Sequence, residues 1–130
     1  MKIFRNFDIS ASALTAERLR MDIISSNVAN VDTTRTADGG PYRRQMVVFD
    51  VGQDGGVRVS RIQEDSSTPS RLVYRPEHPD ANAEGWVEYP NVILVNEMVD
   101  MLAATRAYEA NVTALNATKT MVNSALNIGR

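Results

Sequence analysis

The sequence predicts an α+β chain in which long N- and C-terminal helices pair as a coiled coil or helical bundle, with a small β-rich middle segment between them. Three observations carry this reading. Gly and Pro are absent from Ser10 to Val31 and from Asn91 to Ile128, the two stretches where apolar residues recur at three- and four-residue steps. All five Pro and six of the seven Gly fall between residues 32 and 90, among short alternating runs. Charge divides the same way: residues 32–90 hold 7 basic and 10 acidic side chains, residues 1–31 hold 4 and 3, and residues 91–130 hold 3 and 3.

Residues 1–31 form the predicted N-terminal helix. Phe7, Leu14, Met21 and Val28 stand one heptad apart, with Ala11, Ile24 and Val31 at the intervening offsets, which makes one continuous stripe. A second line, Ala16, Leu19 and Ile23, lies round the side, so the apolar face is wider than a two-helix seam and implies more than one neighbour.

Residues 32–90 read as strands and turns. The strand candidates are Tyr42 to Phe49, Gly56 to Ile62 after the turn Gln53-Asp54-Gly55, Arg71 to Arg75, and Gly85 to Tyr89. The basic pair Arg43-Arg44 is explained by alternation within the first of these strands.

Residues 91–130 form the predicted C-terminal helix. Leu94, Met98, Met101, Thr105, Tyr108, Val112, Leu115, Lys119, Val122 and Leu126 follow alternating steps, and eight of the ten are apolar. Pro90 in front and Gly129 behind sit where a helix start and a C-cap belong. This helix is the longer of the two and overhangs its partner, the pair forming one joint helical domain. The candidate seam is Phe7, Leu14, Met21 and Val28 with Met98, Met101, Tyr108, Val112, Leu115 and Val122. The same side chains serve packing within a subunit and packing between subunits.

Polarity separates those two uses. Between Thr105 and Asn127 the polar positions are four Asn, four Thr and one Ser, against only Arg106, Glu109 and Lys119 as charges. A solvated helix face normally carries Glu and Lys pairs, and Asn and Thr are poorer helix formers. Neutral polar faces suit close helix packing or the lining of an uncharged channel, and assembly would cover apolar faces that a single chain of 130 residues leaves open.

Several function classes lose their footing. A formal net charge of −2 gives no basic field for nucleic acid. With no Cys and one His, neither disulfides nor the usual zinc ligand sets can be assembled, and no cofactor or small-molecule substrate is implied. The N-terminus has a basic start but no continuous apolar core, so neither a cleaved signal peptide nor a membrane span is expected. His78 lies in the proline-flanked turn Pro76-Glu77-His78-Pro79-Asp80 and reads as a surface imidazole. Asp80-Ala81-Asn82-Ala83-Glu84-Gly85 imitates half a calcium loop, then places Asn91 where a bidentate Glu is needed, so it reads as a turn. The sequons at Asn111 and Asn116 fall inside the strongest helix.

Two blocks of sequence carry a resemblance. Ser26-Asn27-Val28-Ala29-Asn30-Val31-Asp32-Thr33-Thr34 resembles the motif that closes the N-terminal helix of flagellar rod and hook proteins. Its continuation, Arg35-Thr36-Ala37-Asp38-Gly39-Gly40-Pro41-Tyr42-Arg43-Arg44, resembles the proximal-rod members in place of the usual Thr-Pro-Gly-Tyr turn. His78-Pro79-Asp80-Ala81 with Gly85, Tyr89-Pro90-Asn91-Val92, Glu97-Met98-Val99-Asp100-Met101 and Arg106-Ala107-Tyr108-Glu109-Ala110-Asn111 resemble the C-terminal signature of the flagellar basal-body rod protein family. The resemblance implies a structural subunit of the torque-transmitting rod around a central export channel, placed in the periplasm and exported without a cleaved signal. It implies as partners copies of itself, other flagellar rod proteins, basal-body ring and adaptor components, and the flagellar type III export apparatus, for which Phe4 and Phe7 are the candidate recognition residues. The other readings are a helical adaptor or chaperone-like binding module using Met21, Met98, Met101 and Met121, and a hydrolase using His78.

Overall fold

The computed structural model describes residues 2–129. Its elements are α1 (Lys2–Ala29), β1 (Gln45–Val51), β2 (Val57–Glu64), β3 (Arg71–Tyr74), β4 (Trp86–Tyr89) and α2 (Leu94–Ile128). The fold is α+β, with long helices at both ends and two small antiparallel sheets between them.

α1 begins at Lys2, and its first turns have a partner that apolar spacing does not show. The turn joining β1 to β2 lies on them. Arg5 Nε donates to the Asp54 carbonyl at 3.1 Å, and the Val57 N–H donates to Ser12 Oγ at 3.0 Å. Gly56 makes that approach possible, since a Cβ there would stand 2.8 Å from Ser12 Oγ. At the other end Asn30 closes α1, its Nδ2 donating to the Ser26 carbonyl at 2.8 Å while its Oδ1 accepts from Thr33 Oγ1 at 3.1 Å.

α2 starts at Leu94, not beside Pro90. Ile93 is its N-cap in extended conformation with no side-chain cap, and the residues between are drawn into a buried link. Gly129 closes the helix with φ −74°, its N–H reaching the Ala125 carbonyl at 3.1 Å, so the end is a right-handed turn without the left-handed glycine of a Schellman cap.

The two helices run antiparallel. Asn27 Nδ2 meets Glu97 Oε2 at 3.1 Å, and Met21 Sδ accepts from Thr105 Oγ1 at 3.8 Å, so a step back along α1 is a step forward along α2. α1 is the central element, packed against α2 on one side and against β1 and β2 on another. That accounts for its wide apolar face. From Ile9 onward its exposed residues reduce to Ala11, Thr15, Arg18, Asp22, Ser25 and Ala29, a single line at steps of four and three.

The β-rich middle is two separate hairpins. β1 and β2 pair from Gln45↔Glu64 to Val51↔Val57, with a bulge between Val48 and Phe49. Arg43 and Arg44 precede β1 and do not alternate within it. β3 and β4 pair from Arg71↔Tyr89 to Tyr74↔Trp86. The shielded core is small: Ala16 and Ile24 on α1, Ala104 on α2, and Val87, Tyr89 and Val92 where β4 leads into α2.

Candidate assembly interface

The shielded line along α2 is Glu97, Met101, Ala104, Tyr108, Asn111, Leu115, Thr118 and Val122, a heptad pattern with steps of four and three. Met101, Tyr108, Leu115 and Val122 belong to the apolar line read from the sequence. The alternate positions fall one residue earlier, on small or polar side chains. Of the candidate seam, Phe7, Leu14, Met21, Val28, Met101, Tyr108, Val112, Leu115 and Val122 are half-buried, whereas Met98 is 54% exposed and turned away from α1. Ala104, with no exposed surface, lets the helices approach closely at the level where Thr105 meets Met21.

Where the seam meets the β segment, a polar junction takes over. Asn27 is a buried residue on α1 whose side-chain amide pairs with the backbone of Gln45 as a neighbouring strand does. Its Oδ1 accepts from the Gln45 N–H at 3.0 Å and its Nδ2 donates to the Gln45 carbonyl at 2.9 Å. The Tyr42 hydroxyl also donates to Asn27 Oδ1 at 2.8 Å. Glu97, fully buried in the first turn of α2, accepts from Asn27 Nδ2 and from Arg44 Nε. The remaining Arg44 donors reach Asp65 at 3.2 Å and Asp100 at 3.3 Å. Asn91 completes the joint: its Oδ1 accepts the Arg44 N–H at 2.7 Å, and its Nδ2 donates to the carbonyls of Asp65 and Thr68.

Charge inside this junction is balanced by contact. Burial opposes the charge on Arg44, yet hydrogen bonds and attraction from Glu97 and then Asp65 hold its pKa above the ordinary value. Asp65 is held well below the usual carboxylate range, first by the hydroxyls of Ser67 and Thr68 and against its own burial. Asp80, on the loop before β4, is also lowered, chiefly by the Thr34 hydroxyl at 2.7 Å and then by Arg35. No buried side-chain nitrogen or oxygen among the described residues lacks a partner.

This chemistry is structural. Clefts of about 300 Å³ and 170 Å³ flank the Arg44–Glu97 pair, but of the charged groups lining them Arg44, Glu97 and Asp100 are committed to one another and Arg20 pairs with Glu17. Among the described residues no group of three or more His, Asp or Glu side chains is placed to hold a metal. His78 is a brace, half-buried, with Nδ1 accepting the Asp80 N–H at 3.0 Å and its ring 6.4 Å from that of Tyr89. Asn82 Oδ1 closes the following turn by accepting from the N–H groups of Glu84 and Trp86. Among the described residues no helix is long and apolar enough to cross a membrane.

Apolar periodicity finds none of the junction residues Asn27, Arg44, Asp65, Asn91 and Glu97. All but Asp65 stand in the two motif blocks, where polar residues interrupt otherwise regular stretches. That interruption is the available signal.

Comparison with known proteins gives the same two blocks. Residues 7–35 match the family described as flagella basal body rod protein, and residues 83–128 match the flagellar basal body rod FlgEFG protein C-terminal family. The chain is 50% identical to the flagellar basal-body rod protein FlgC of Bacillus subtilis, with all of both chains covered. It is 47% identical to the protein of the same name from Borreliella burgdorferi over 98% of each chain, and 44% identical to that of Escherichia coli over all of each chain. A motif-bearing helix pair locked by a polar junction, with full-length relatives at these identities, leads to one conclusion: the chain belongs to the flagellar basal-body rod protein family, as a structural subunit of the FlgC type that assembles with other rod components and is not an enzyme.

Proposed function

We propose that the chain builds the proximal rod by packing its helices against further copies of itself and against other rod proteins, around the export channel. The observation that carries this is surface area. A compact monomer of 14.4 kDa exposes about 6,800 Å². This chain exposes 8933 Å², about 2,100 Å² more, which is the area of two or more standard interfaces per subunit. On α2, Met121, Leu126 and Ile128 are 61% to 86% exposed.

In this reading residues 1–31 and 91–130 act as one joint helical domain, and residues 32–90 face outward. The candidate seam then serves twice: its half-buried members hold α1 to α2, and Met98 is free for a neighbour. Thr113, Asn116, Thr120, Asn123 and Asn127 form an exposed, uncharged line at steps of three and four on α2. That line suits the wall of a channel that passes unfolded chains of either charge without holding them. Basal-body ring and adaptor components contact the outer face. In this reading delivery to the periplasm is by the flagellar type III export apparatus without a cleaved signal peptide.

Hydrogen exchange on the free chain and on purified basal bodies tests the reading. Amides from Leu115 to Ile128 are expected to exchange at least about tenfold more slowly in the assembled rod. Equal rates in both states would overturn it.

A further inference from the structure

Two apolar patches on this chain lie open, on elements that do not touch. The first is on the opening turns of α2, where Leu94, Val95, Met98, Val99 and Leu102 share one face and are 40% to 68% exposed. The second is on the β3–β4 hairpin, where Leu72 and Tyr74 stand on the same face as Trp86, with exposures of 62%, 59% and 42%. Tyr74 and Trp86 meet edge to face with ring centroids 5.4 Å apart.

The hairpin is a lone two-stranded sheet whose backbone comes within 8 Å of no other helix or strand. Such a unit is marginally stable in water and gains from a cover on its open face. Its inner face is already closed by Val87 and Tyr89, with the Arg71 guanidinium 4.8 Å from the Tyr89 ring. Because the two patches sit on elements that do not approach each other, one chain cannot cover either patch with the other.

We infer that the α2 stripe of one copy packs on the aromatic face of the β3–β4 hairpin of the next copy. This deepens the reading of the chain as a self-assembling subunit and rests on it. Area and symmetry favour unlike patches meeting. Pairing the stripe with itself about a two-fold axis buries only the stripe of each copy and leaves the hairpin open. It also stops at two copies. A stripe-on-hairpin contact uses both patches of every subunit and repeats without closing, as the growth of a rod from successive copies requires. The chemistries match, since aliphatic side chains fill the space beside an edge-to-face aromatic pair and the Met98 thioether is a favourable neighbour for either ring.

The chain has no Cys, so introduced thiols report only the designed contact. Leu72→Cys and Val99→Cys are placed singly and together in the full chain, basal bodies are purified from cells carrying each variant, and mild oxidation is followed by detection of the chain on denaturing gels. The inference expects a ladder of dimers and higher species from the double variant, none from either single variant, and dimers only when the two single variants are co-expressed. Tyr74→Cys with Val95→Cys, on the same two faces, is expected to repeat the ladder. Dimers from Val99→Cys alone would replace it with a two-fold contact. Basal bodies that contain the double variants without cross-links between chains would overturn the inference and leave self-assembly standing. Absence of the unaltered chain from basal bodies would remove both.

Discussion

Arg44 is one cation set among three carboxylates, with Glu97 fully buried beside it. Removing one member leaves the others desolvated and unpaired, which costs about 3 to 5 kcal/mol, far more than the pair contributes against an apolar replacement. Arg44→Ala is therefore expected to lower the unfolding free energy by about 3 kcal/mol in urea titration, while Arg43→Ala, at an exposed ion pair with Glu88, lowers it by less than about 1 kcal/mol. Equal effects would remove the junction from its central place. Acid acts on the same residues. The Asp65 carboxyl has a folded pKa below its unfolded value, so the stability it contributes is fully present above about pH 4 and is lost as pH falls from there through the folded pKa. Asp80 shifts in the same direction through Thr34. Unfolding free energy is expected to be level from pH 7 to about 5 and to decline below about 4, and Asp65→Asn should flatten that decline. A decline unchanged in Asp65→Asn would assign the acid sensitivity elsewhere.

At the level of elements, the β3–β4 hairpin is joined to the rest through loops, and Gly85 is its critical turn. Gly85 has φ +89°, and a Cβ there would stand 2.8 Å from the Tyr74 ring and 3.1 Å from Pro76. Gly85→Ala combines left-handed strain with a steric clash, a cost of roughly 1 to 3 kcal/mol. Trp86 is the only tryptophan in the chain, so its fluorescence reports this hairpin and no other element. The expected outcome is a red-shifted Trp86 emission with a lower midpoint on heating, while the helical circular dichroism keeps its own midpoint. A joint shift of both signals would show that the hairpin and the helix pair unfold together. Elements of this size were legible in the sequence wherever apolar spacing or glycine marked them: both helices, four strands and the turn at Asp54 and Gly55. What holds the first turns of α1 was not, because their hydrogen bonds reach a hairpin 45 to 49 residues away in the chain and leave no local pattern. The inner line of α2 was legible only at every second position. Ala104, Asn111 and Thr118 are inward because closely packed helices need small side chains there, and Glu97 because the junction needs an acid, so half the seam carries no apolar signal.

For the whole molecule, the question is whether the exposed half of α2 serves folding or assembly, and a substitution can separate the two. Leu14→Asp or Leu115→Asp places a charge at half-buried seam positions, so it abolishes motility by opening the helix pair as well as by blocking packing between subunits. Met121 is different: it is 61% exposed, so an aspartate there stays solvated in the free chain and should change unfolding free energy by no more than about 0.5 kcal/mol. In the rod the same carboxylate would be enclosed between helices without a cation, at a penalty of several kcal/mol repeated in every copy. If each subunit packs against several others, as proposed, that penalty multiplies along the shaft, and the loss of assembly is disproportionate to the loss in any single contact. The expected result is normal urea unfolding of the Met121→Asp chain together with failure to swim in soft agar and absence of the chain from purified basal bodies. Swimming at the normal rate would mean that this face of α2 remains in water in the finished rod, and the surplus surface would then have to be buried through α1 and the hairpins instead.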